Sequence, residues 1–132
     1  MNLTKNFTLK ELTVTSSKFS NTPNAEEICR LRVLCEKVLQ PTRDAYGKAI
    51  RVNSAFRSEL VNKEVGGVPT SQHRYGEAAD ITAGDKTENK KLFDIIKASG
   101  EFDQLIIEYD YTWIHVSYTT KRKNRKQILK IG

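Results

Sequence analysis

Apolar residues recur at intervals of three and four through Ile28, Leu31, Leu34, Cys35 and Val38, the spacing that lines one face of an α-helix. Asn24 stands ahead of this run as its N-cap. Pro41 is expected to kink or interrupt the helix, because proline removes a backbone donor and clashes with the preceding turn. The pattern resumes at Ala45 and Tyr46 and stops at Gly47. Upstream, Thr8 and Glu11 form a capping box before a short helix with Leu9 and Leu12, and residues 19–24 read as a polar loop. From Ile50 to Phe56 the pattern becomes extended, with Ile50, Val52 and Ser54 on one side. Ser58 caps a short helix carrying Leu60, Val61 and Val65, and Gly66-Gly67-Val68-Pro69 breaks the chain. Between Ser71 and Ile81 neither period is clear before Ala78. Thr87 is expected to cap a helix with Leu92, Ile95 and Ile96 inward, closed by Gly100. Three strand-like segments follow, at 102–108, 113–118 and 127–131.

This order predicts an α+β fold, with N-terminal helices packed on a small antiparallel sheet. The 132 residues fit one domain with one core, and no internal repeat or linker divides them. With 38% hydrophobic and 29% charged residues the chain reads as a soluble globular protein. No apolar run reaches the roughly 20 residues of a membrane span. Residues 1–15 alternate apolar with polar and lack the apolar centre of a secretory signal, so the expectation is a protein made in the cytoplasm. Cys29 and Cys35 lie six apart on a helix, about 9 Å of rise, which is too far for a disulfide. Free, mostly buried thiols are expected, as suits a reducing compartment.

The charge is unevenly placed. Lys121, Arg122, Lys123, Arg125, Lys126 and Lys130, with no acid between them, account for the whole net charge of +6. Residues 121–132 therefore read as a basic segment on an otherwise neutral domain. Three roles suit it: a lysine-defended strand edge, attraction to an anionic cell wall, or nucleic-acid binding. The last is disfavoured, since no aromatic residue is interleaved to stack on bases.

The only two histidines, His73 and His115, stand where a metal makes sense. Gly76, Ala78 and Ala79 allow a tight turn that returns Asp80 towards His73. In Trp113-Ile114-His115-Val116-Ser117 the period of two sets Trp113, His115 and Ser117 on one side and Ile114 and Val116 on the other. Two histidines and one carboxylate make a three-ligand zinc site with a position left for water. A second carboxylate must take the water's proton, and Glu108 or Asp110 is placed to do so.

The run Ser71-x-His73-x-x-Gly76-x-Ala78-x-Asp80 resembles the signature of the zinc D-alanyl-D-alanine carboxypeptidase and L-alanyl-D-glutamate endopeptidase family. Trp113-x-His115 resembles its second motif, and Ser54-Ala55-Phe56-Arg57-Ser58 its serine-x-aromatic-arginine-serine stretch. Phe7-Thr8-Leu9-Lys10-Glu11-Leu12 and Phe102-Asp103-Gln104-Leu105-Ile106 look like the phage- and prophage-associated branch. The likeness runs from about residue 5 to residue 118. It implies zinc on His73, Asp80 and His115, with Arg57 holding substrate and developing negative charge. Ser71, Gln72, Tyr75 and Ser117 are candidates to contact substrate.

The implied substrate is the peptidoglycan stem peptide, cut at D-Ala-D-Ala or at L-Ala-D-Glu. A monomer is expected, acting on the wall once released, for example by phage lysis. The family's base usually stands three to five positions before the last histidine, whereas Asp110 is five and Glu108 seven before His115. A longer turn favours Glu108, and Asp110 stays open. Rival expectations are a non-catalytic, zinc-containing wall-binding domain and a nucleic-acid-binding protein.

Overall fold

The computed structural model describes residues 1–132. The fold is α+β. Strands β1 (Asn2–Thr4) and β2 (Phe7–Thr8) form a small hairpin, followed by α1 (Leu9–Leu12), α2 (Ala25–Leu34) and α3 (Gln40–Tyr46). Then come β3 (Arg51–Ser54), α4 (Glu59–Glu64), β4 (Ala78–Thr82), α5 (Lys86–Ser99), β5 (Gln104–Glu108), β6 (Trp113–Ser117) and β7 (Gln127–Ile131). No helix is long and apolar enough to cross a membrane.

The capping box of Thr8 with Glu11 forms, and the Asn24 cap is part of a second box, with Glu27. Between α2 and α3, residues Cys35–Leu39 widen into a π-helical turn instead of breaking. That turn is how the helix accommodates Pro41: the ladder shifts to i→i−5 bonds just before it, with Gln40 N–H donating to Cys35 C=O. Gly47 ends α3 in the left-handed conformation, at φ 79°. The expected Thr87 cap is corrected to Asp85, whose side chain accepts from Glu88 N at 2.8 Å. Aspartate two residues earlier reaches the third helical N–H and starts the helix sooner. Cys29 and Cys35 are both free as expected, but Cys29 is exposed, on the outward side of α2.

The main sheet has strand order β3-β4-β6-β5-β7. Its first three pairings are antiparallel, but β7 runs parallel to β5, with Glu108 opposite Ile131, so the expectation of an antiparallel sheet is corrected to a mixed one. Alternation divides its faces. Ala79, Ile81, Leu105, Ile114 and Val116 point inward to a core shared with Leu31, Leu34, Leu92 and Ile96 from the helices. The opposite face of β4, β5 and β6 carries Asp80, Ile106, Glu108, Trp113 and His115.

Candidate functional site

His73 sits in a single 3₁₀ turn, Gln72–Tyr75, that Ser71 caps by accepting from His73 N–H. Gly76 ends that turn at φ 79°, and a Cβ there would stand 2.7 Å from the Glu27 carbonyl of α2. Glycine is thus required twice over, by its conformation and by the close approach. The turn is laced to the loop after β3. His73 Nδ1 donates to Ala55 C=O at 2.7 Å, while Arg57 N–H donates to His73 C=O at 2.9 Å. With Nδ1 engaged, Nε2 is the histidine's free ligand atom.

Asp80 and His115 are direct cross-strand partners in β4 and β6. The pairing brings His115 Nδ1 within 2.9 Å of Asp80 Oδ1, and His73 Nε2 lies 3.3 Å from the same oxygen. One ligand atom from each of the three residues falls within 4.8 Å of the others. Burial pushes the Asp80 carboxyl up, but hydrogen bonds from His115 and His73 outweigh it and hold the group well below the usual carboxylate range. Two imidazoles and an ionised carboxylate, converging with small exposure, form a donor set that fits zinc.

These three side chains open into a cleft of about 620 Å³. Arg57 lines it, its side chain 17% exposed, with Nη2 3.7 Å from Asp80 Oδ2. Its Nε donates to Ser54 Oγ at 3.2 Å and its Nη1 to Asn62 Oδ1 at 3.3 Å, which fixes the guanidinium in place. Asn62 is in turn held by its amide donating to Val68 C=O. Burial lowers the Arg57 pKa, and the charges of Asp80 and Glu108 pull the other way, so the group remains a cation.

Glu108 also lines the cleft, opposite Trp113 and diagonal to His115, with Trp113 Nε1 donating to its Oε2 at 3.0 Å. The turn between β5 and β6 is a longer one. Tyr109, Asp110 and Tyr111 all take positive φ, at 48°, 54° and 64°. This left-handed turn points Asp110 to solvent, where its side chain is 73% exposed and pairs with Lys86 at 3.5 Å. Asp110 is therefore outside the cleft.

Ser71 and Gln72 line the cleft, whereas Tyr75 and Ser117 do not. Tyr75 faces a different depression beside Gly67 and Pro69. Ser117 is fully buried, its Oγ accepting from Gln104 N–H. A second cleft of similar size, about 660 Å³ beside Lys10, Ile50 and Arg51, gathers no comparable ligand set.

Arg122 and Arg125 also line the cleft, and nothing in the sequence reading placed them there. Both fold onto Asp103, which is fully buried. The basic segment 121–132 is thus anchored at its start by Asp103. The signal available in the sequence was Asp103, an acid beside the apolar segment of β5 with no neighbouring cation.

A model of the family described as Peptidase M15 matches residues 5–117. The chain is 42% identical over 81 residues to the zinc D-Ala-D-Ala carboxypeptidase of Streptomyces albus G. That alignment covers 60% of this chain and 32% of the relative, so the shared part spans about a third of the relative's length.

Proposed function

The chain belongs to the Peptidase M15 family, and from that premise we propose that it is a zinc-dependent hydrolase of an amide bond in the peptidoglycan stem peptide. The observation that carries the reading is the convergence of His73, Asp80 and His115 in a cleft that also holds Arg57 and Glu108. His73, Asp80 and His115 would hold the metal. Zinc, when bound, supplies Lewis acidity that polarises the scissile carbonyl and makes water a better nucleophile near neutral pH. Glu108 accepts the proton of that water and returns it to the leaving amine. Trp113 orients the carboxylate by holding one oxygen, leaving the other to take the proton. Arg57, already fixed by Ser54 and Asn62, donates to the oxygen on which charge develops.

The bond proposed first is D-Ala-D-Ala, cut as a carboxypeptidase. The shared stretch with the Streptomyces enzyme supports it. A second cationic feature in the cleft, Arg122 with Arg125, favours an L-Ala-D-Glu endopeptidase as the second reading, since an internal bond places substrate on both sides of the site.

Digestion of purified peptidoglycan by the zinc-loaded protein, with products identified by mass, decides between them. Free D-alanine supports the carboxypeptidase, and new N-terminal D-glutamate with intact D-Ala-D-Ala selects the endopeptidase. No product at all rejects both in favour of a non-catalytic domain. Glu108→Gln is expected to keep about one zinc per chain and lose activity by about 10²–10⁴-fold. Asp110→Asn is expected to change little, and the reverse ranking would overturn the assignment of the base.

A further inference from the structure

Asp103 is fully buried and accepts six hydrogen bonds. Arg122 gives two, Nη1 to Oδ1 at 2.7 Å and Nη2 to Oδ2 at 3.0 Å. Arg125 gives three, from Nε, Nη2 and its backbone N–H, and Gln72 Nε2 completes the set at 3.0 Å. One buried negative charge thus holds two guanidinium groups side by side and leaves the cluster with a surplus of one positive charge. The arginines are fixed from behind, yet their side chains are 47% and 46% exposed, and both line the cleft that holds the metal ligands. Gln72, the residue next to His73, joins this cluster to the turn carrying the ligand.

A pair of arginines whose only task was to anchor strand β7 has no need to border the cleft with nearly half of each side chain exposed. Each guanidinium has five N–H donors in a planar fork. Asp103 takes two from each, so donors remain for a second, planar anion. Preorganised forks of this kind suit a carboxylate, which they bind in two parallel hydrogen bonds.

We infer that Arg122 and Arg125 read a carboxylate of the peptide substrate and thereby select which amide bond reaches the metal ligands. The inference rests on the hydrolase reading and deepens it. The stem peptide offers two such groups, the α-carboxylate of the D-glutamyl residue and the C-terminal carboxylate. Both present the same chemistry to the arginines.

The test compares three synthetic stem peptides: one with both carboxylates free, one amidated at D-glutamate, and one amidated at the C-terminus. Each is assayed with the native protein, Arg122→Gln and Arg122→Lys. Amidating the recognised carboxylate is expected to lower kcat/KM of the native protein about tenfold or more, chiefly through KM. In Arg122→Gln that penalty should shrink towards one, with lysine intermediate because it keeps the charge but not the fork. Whichever amide carries the penalty identifies the carboxylate.

Penalties below twofold at both positions, or one that persists unchanged in Arg122→Gln, would overturn the inference and leave the pair as an anchor for β7. Trp113, the only tryptophan, lines the cleft, and its fluorescence reports binding of the same peptides to the zinc-loaded protein without turnover. If no peptide is cut, the hydrolase reading fails by itself. The ratio of Kd for acid and amide peptides, native against variant, then decides the inference by the same tenfold criterion.

Discussion

Gly67 illustrates how a residue with no chemistry of its own sets the site. A Cβ there would collide with Asn62 Oδ1 and stand 3.1 Å from Arg57 Nη1. Its neighbour Gly66 has the left-handed φ of 79° but open space around it. The two glycines are therefore required for different reasons. Gly66→Ala should cost about 1 kcal/mol of stability and leave turnover unchanged. Gly67→Ala should displace Asn62, release Arg57 and lower kcat/KM about tenfold or more with zinc content unchanged. Steady-state kinetics with metal analysis on both variants checks this. At this scale the sequence was informative wherever a residue type is chemically scarce. With two histidines in the chain, the ligand candidates were few, and the motif supplied the carboxylate. Gly67 read only as a chain breaker, because the side chain it must avoid belongs to a separate element, α4.

Helix and strand periods identified α2, α5 and the three C-terminal strands nearly at their observed limits. They missed β4, since Ala78-Ala79-Asp80 alternates neither in size nor in polarity and is buried on both faces. The parallel pairing of β7 with β5 was also not legible, because the order of strands at a sheet edge is a non-local property. The anchoring of the basic segment was not legible for the same reason: its partner Asp103 lies 19 residues before Arg122 and 22 before Arg125.

That anchor has a pH signature. Burial alone would raise the Asp103 pKa, but the hydrogen bonds from Arg122, Arg125 and Gln72 more than reverse this and hold the carboxyl well below the usual range. Its folded pKa is thus lower than its unfolded value of about 4. The stabilisation is complete above that value and is lost as pH falls towards the folded one. Asp103→Asn should cost about 2–3 kcal/mol at pH 7, and the gap from the native protein should narrow at pH 3. Denaturant titrations at the two pH values measure it.

Taken whole, the molecule places its candidate metal ligands on three segments: the 3₁₀ turn, β4 and β6. A bound cation would therefore tie β6 to a turn and strand far from it in sequence, and its binding energy would add to folding. Zinc at 100 times its Kd should stabilise the protein by about 2.7 kcal/mol. A chelator should lower the Tm correspondingly, and neither should move the Tm of His115→Ala. Calorimetry of the native protein and that variant, with and without zinc, tests the point.

The pairing of β7 with β5 also has a consequence for biosynthesis. A chain emerging from the ribosome presents Arg57, His73, Asp80, Glu108 and His115 before Arg122, Arg125 and Ile131. Until those later residues arrive, Asp103 lacks most of its hydrogen-bond donors and one edge of β5 is unpaired. The nascent polypeptide can bring its candidate ligands together but not the outer wall of the cleft. The wall is completed only after the candidate ligands have been made, when β7 zips onto β5.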